Sequence, residues 1–158
     1  MQPRLEVAKE KKLVGKRMKM SLAENKTFEL WRSFMPDRTK IANKRSDEFI
    51  SMKVYDEPLQ LQNPAQEFDK WAAIEVSDFS KAPEGMETFI LPSGLYAIFD
   101  YKGLNTDSSI FIYIFTEWLP NSNYELDDRP HFEVLGEKYK NNDPQSEEEI
   151  WIPVRLKQ

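Results

Sequence analysis

Apolar and polar residues alternate along most of this chain, and the alternation gives way twice to a helical spacing. From Leu5 to Leu22 the pattern predicts extended chain, with Gly15 as a bulge or bend. Asn25 or Thr27 then caps a helix carrying Phe28, Leu30, Trp31 and Phe34, which Pro36 closes. The polar stretch 38–46 is a turn or short helical piece, followed by strands at 48–55 and 70–78 around a loop holding Pro58 and Pro64. Pro83, Gly85, Pro92 and Gly94 mark residues 81–94 as a connector, with at most a short edge strand at 86–91. A strand at 95–101 follows, then a helix at 108–118 capped by Thr106 or Asp107 and ended by Pro120. Two further strands, about 130–138 and 148–156, flank a polar loop at 140–146.

The order repeats. Phe34-Met35-Pro36 answers Trp118-Leu119-Pro120, Glu48-Phe49-Ile50 answers His131-Phe132-Glu133, and the Trp71 strand answers the Trp151 strand. The expected fold is α+β: one domain over residues 1–158, built from duplicated β-α-β-β halves of about 1–80 and 86–158. These halves form an antiparallel sheet with two main helices on one face and a ligand groove on the other.

Composition narrows the class. With 158 residues, 40% of them hydrophobic, the chain is long and apolar enough to bury a core unaided. It has no cysteine, which removes thiolate catalysis, Cys-ligated zinc and disulfides and fits a reducing cytoplasm. The apolar run 110–115 is far short of the roughly 20 residues a membrane span needs. The net charge of −5 hides a split: residues 1–45 hold 13 Lys/Arg against 5 Asp/Glu, which leaves 9 of the 22 basic and 22 of the 27 acidic residues for 46–158. The basic residues at the start interleave with Val7, Leu13, Val14, Met18 and Met20, as on a solvated strand face, and no nucleic-acid-binding motif accompanies them. Direct nucleic-acid binding is not expected.

Candidate chemistry centres on one acid in a strand. By parity His131, Glu133 and Leu135 share a face, while Phe132 and Val134 share the other. If the helices cover Phe132 and Val134, Glu133 falls on the open face at the junction of the halves, where it would favour cationic or hydrogen-bond-donating ligands. Trp71 and Trp151 are the expected groove walls, with Tyr96, Met52 and His131 beside them. Trp31 and Trp118 are read as core, and the tract Glu147-Glu148-Glu149 as exposed charge with one member able to face the pocket. His131 is the only histidine, no Gly-rich phosphate loop occurs, and the aspartates match no calcium-loop spacing, so neither metal nor cofactor is expected.

Several segments carry a family likeness: Leu91-Pro92-Ser93-Gly94-Leu95-Tyr96-Ala97, Trp118-Leu119-Pro120, the run from Tyr124 to Tyr139, and Glu149-Ile150-Trp151-Ile152-Pro153-Val154. Together they resemble the GyrI-like effector-binding domains, which occur alone or fused to AraC-type and MerR-type regulators. The resemblance implies a pseudo-twofold duplication, a ligand groove between the halves, and a pocket acid at Glu133. It also implies three functions: a stand-alone binder of amphipathic or aromatic drug-like molecules, cationic ones included; a hydrolase of strained electrophilic rings that uses Glu133; or a protein-binding inhibitor of gyrase.

Overall fold

The computed structural model describes residues 2–158. Strands β1 (Arg4–Ala8) and β2 (Lys11–Met20) lead into helix α1 (Thr27–Asp37), then β3 (Phe49–Val54) and β4 (Phe68–Val76). Strands β5 (Glu87–Leu91) and β6 (Gly94–Lys102) precede helix α2 (Ser109–Tyr113), which runs on through a π-helical segment, Ile114–Trp118, into a short helix α3 (Leu119–Asn121). Strands β7 (Tyr124–Leu126), β8 (His131–Leu135) and β9 (Glu147–Leu156) complete the chain. The α+β duplication expected from the sequence is present: β2-α1-β3-β4 corresponds to β6-α2-β8-β9.

Local chemistry accounts for these elements. The Asn25 side chain accepts from the Thr27 amide at 2.9 Å in a turn just before α1, leaving Lys26 at the N-cap position itself. Asp107 does the same for the Ser109 amide before α2. Pro36 lies inside the last turn of α1 rather than beyond it. Pro120 has no amide hydrogen to offer the Thr116 carbonyl, which is a local reason for the second helix to lose α-helical bonding there. Gly15 is not a bulge. It sits within a continuous β2, where a Cβ would lie 2.1 Å from the Ala72 carbonyl oxygen, so its role is close strand approach. The break in the first extended run falls instead at Lys9 and Glu10.

All strand pairs are antiparallel, in the order β1-β6-β9-β8-β3-β4-β2-β5, with β7 also pairing β9. The halves meet where β3 pairs β8. The outermost strands are exchanged: β1 pairs β6 of the second half, and β5 pairs β2 of the first. This exchange bends the sheet. In a flat sheet β1 and β2 would stand six spacings apart, roughly 29 Å, yet only two residues join them, allowing their ends to part by at most about 11 Å. The helix-free face therefore folds inward.

The inward face is filled. Leu13, Met52, Trp71, Leu91, Tyr96 and Phe132 come from both halves and from outer and central strands alike, and they form one buried apolar cluster. On the outward face, α1 buries Leu30 and Phe34 against Val14, Phe68, Ala72 and Ile74. The second helix buries Ile110, Ile114 and Leu119 against Ala97, Phe99, Ile150 and Ile152. Two separate helix-on-sheet cores part over the seam, where only Phe111 and Phe115 of the second helix overhang it. The basic start of the chain is tied to the acidic remainder: Arg4 pairs Asp100 and Glu149, and Arg17 pairs Glu87 and Asp69.

Candidate functional site

The seam fixes the site. In register, Phe49 faces Leu135, Ser51 faces Glu133 and Lys53 faces His131. Phe49 meets Trp31 and Phe34 of α1 edge-on, with ring centroids 6.0 and 6.4 Å apart, so this row of side chains lies on the helix side of the sheet. Glu133 therefore sits between the helices, and the expected parity is reversed. Phe132 and Val134 belong to the core of the inward face. The physical reason is that alternation sorts the residues of β8 into two sets but does not say which set the helices cover.

The cleft above the seam has a volume of about 30 Å³ and is bordered by Ser51, Lys53, Glu133 and His131 from the sheet and by Phe111 and Phe115 from the second helix. This space is on the scale of a single water. Trp151 and His131 border it, but the Trp151 ring stacks on Phe132 at 5.0 Å and meets Tyr96 at 5.7 Å on the inward side. Trp71, Tyr96 and Met52 are buried in the inward core and do not line the cleft. The inward curl of the sheet draws them there.

Sequence reasoning passed over most of the polar site. Lys70 of β4 lies opposite Lys53 of β3, and Glu148 lies two residues from Ile150, the partner of Glu133 on β9. The tract member able to approach the pocket is thus Glu148. Lys53 Nζ stands 5.5 Å from the Phe68 ring centre and 5.3 Å from that of Phe111, two cation–π contacts. Tyr55 meets both Phe68 and His131, at 5.4 and 5.3 Å, and Phe115 meets His131 at 6.1 Å. The signal for these residues is two lysines in strand segments otherwise reading as buried.

Burial governs the electrostatics. It holds Glu148 protonated far above the ordinary carboxylate range, and the neighbouring Glu133, through charge and a shared hydrogen bond, pushes the same way. Burial lowers Lys53 to about 8, with Lys70 adding to the fall and Glu133 opposing it. Lys70 is lowered for the same first reason, against the pull of Glu133 and Glu148. His131 drops to about 3 through burial and then Lys53, so it is a neutral imidazole near pH 7. Tyr139 is pushed up to about 12 by burial and by Glu148 and Glu133. The site therefore joins two carboxyl side chains, two lysines and a neutral imidazole under an aromatic cover. Among the described residues no group of three or more His, Cys, Asp or Glu side chains is placed to hold a metal ion, and no helix is long and apolar enough to cross a membrane.

Known proteins share this fold. The transcriptional regulator BrlR of Pseudomonas aeruginosa is 30% identical over 128 residues, covering 80% of this chain but only 45% of BrlR. The C-terminal domain of EcmrR superposes with a TM-score of 0.72 at 17% identity, covering 99% of this chain and 98% of that domain. SAV2435, in a structure bound to tetraphenylphosphonium, superposes with a TM-score of 0.70 at 14% identity over 98% of this chain and 94% of that one. The family model of Cass2, the integron-associated effector binding protein, matches residues 4–154. The likeness to GyrI-like effector-binding domains is thus borne out, and the chain belongs to the integron-associated effector binding protein family.

Proposed function

We propose that this chain binds an amphipathic aromatic small molecule in the cleft over the β3–β8 seam, with Glu133 as its polar anchor and Phe111, Phe115 and Tyr55 as its walls. One observation carries this reading: a cluster of buried and half-buried ionisable side chains lies where the two helix-on-sheet cores part, capped by rings from a helix with irregular bonding. Such a cluster is unfavourable for stability alone, and its siting in a cleft favours a binding role. The tetraphenylphosphonium complex of SAV2435, a protein of the same fold, supports an aromatic ligand class. A ligand of that size needs several hundred Å³, so binding requires Phe111 and Phe115 to move off the seam. The π-helical segment, which holds Phe115 and follows Phe111, is the natural place for that movement.

The test is a thermal-shift panel of neutral aromatics, planar cationic dyes and aromatic anions. Wild type is expected to be stabilised by members of the panel through mass action, and Glu133→Gln to change the ranking. No stabilisation by any compound overturns the proposal.

The acid pair favours a second reading. A protonated Glu148 beside Glu133 is the arrangement in which one carboxyl donates a proton and the other activates water. As a hydrolase, the protein would open a strained electrophilic ring by adding water across the broken bond. Mass spectrometry would show substrate plus water with wild type and no product with Glu133→Gln. Equal turnover by that variant rejects this reading.

A further inference from the structure

Glu133 alone would recruit cations, yet two lysines share its face. Lys53 and Lys70 are directly opposite on adjacent strands, on the same face as Glu133. Like charges in that relation are destabilising. Lys70 is only 7% exposed, and it makes no hydrogen bond and no ion pair among the described residues. Its nitrogen is nonetheless not among the side-chain atoms sealed from solvent without a partner. Lys53 likewise has no ion pair. Its ammonium rests on the faces of Phe68 and Phe111, occupying the aromatic space that a ligand cation would need.

Resting on the cleft reading above, we infer that Lys53 and Lys70 are specificity-determining residues that make this cleft accept aromatic anions, such as carboxylates or sulfonates, in preference to aromatic cations. An anionic head group supplies the acceptor that both ammonium groups lack, while the ligand's rings take the place of Lys53 against Phe111. A cation must instead displace the Lys53 ammonium and then face Lys70.

Tetraphenylborate and tetraphenylphosphonium share one shape and carry opposite charge, so their affinity ratio isolates the head-group preference. Titration calorimetry of wild type is expected to give tighter binding of the borate. Lys53→Met and Lys70→Met are each expected to shift the ratio toward the phosphonium by about tenfold, the effect of one nearby charge in a partly screened site. Glu133→Gln is expected to shift it the other way. Tighter phosphonium binding by wild type, or a ratio unmoved by the lysine substitutions, overturns the anion preference while leaving the cleft as a binding site. If neither ion binds, the cleft reading fails and the anion preference falls with it. Should a lysine variant not fold, the wild-type ratio and the Glu133→Gln shift still decide the matter.

Discussion

The two faces of the β3–β8 seam share one backbone and one register, yet they are chemically opposite. On the inward face Ile50 meets Val134 and Met52 meets Phe132, all apolar and all buried. On the helix face Ser51 meets Glu133 and Lys53 meets His131, all capable of hydrogen bonding. The inward face closes because exchange of the edge strands brings Leu13, Leu91 and Tyr96 over it. The outward face keeps a cleft because each helix packs on its own half. Stability and recognition are thus divided between the faces, and substitutions on the two sides should behave differently.

The largest effect belongs to the inward face. Phe132 is 2% exposed between Tyr96 and Trp151, and Phe132→Ala is expected to cost about 3–5 kcal/mol in chemical denaturation. A loss near zero would show that this face is not the core. On the cleft face the sign should reverse. Lys70→Met removes a buried, unpaired ammonium and replaces it with a chain of similar length, so it is expected to stabilise by about 1 kcal/mol or more. Destabilisation of that size would mean that Lys70 is paired after all.

A further effect is a matter of pH. His131 has its folded value lowered to about 3, below the ordinary 6.5 of the unfolded chain. A lowered value contributes stability above the unfolded value, lost as pH falls from about 6.5 towards about 3. Denaturation midpoints of wild type should therefore fall through that window more steeply than those of His131→Phe. Parallel curves would place His131 in water rather than under Tyr55 and Phe115. Glu148, shifted upward, acts in the opposite sense: its contribution is complete below the ordinary carboxylate value and is lost as pH climbs from there. Glu148→Gln should flatten that alkaline decline.

Much of the fold was legible in the sequence. Alternation located most of the strands to within a few residues, and the matched prolines and tryptophans disclosed the duplication. The short strand β7 escaped because its three residues, Tyr124 to Leu126, are too few to show a period. Parity placed Trp71, Met52, Trp151 and Tyr96 together on one face, as they are, but set Phe132 on the other face, whereas Met52 and Trp151 stand directly opposite it. What parity does not supply is the absolute choice of face. That depended on Phe49 reaching Trp31 and Phe34, a contact made only after folding. The lysine pair was hidden for a related reason. Lys53 and Lys70 are joined by a long irregular connection, and nothing in its composition fixes which residue of β4 stands opposite which residue of β3.

The exchanged edge strands bear on how the chain is made. During synthesis β2, β3 and β4 emerge early and pair with one another, but the outer edge of β2 waits for β5, and β1 waits for β6, with Arg4 opposite Ile98. Each half is therefore born with an open strand edge that only the other can cover, and open edges recruit strands from neighbouring chains. Severing the chain in the connector around Pro83 would leave two fragments, each carrying the border strand that the other lacks. The ancestral repeat has thus become a reciprocal obligation: neither copy remains an independent folding unit, and only co-expression of the two pieces should keep both in solution.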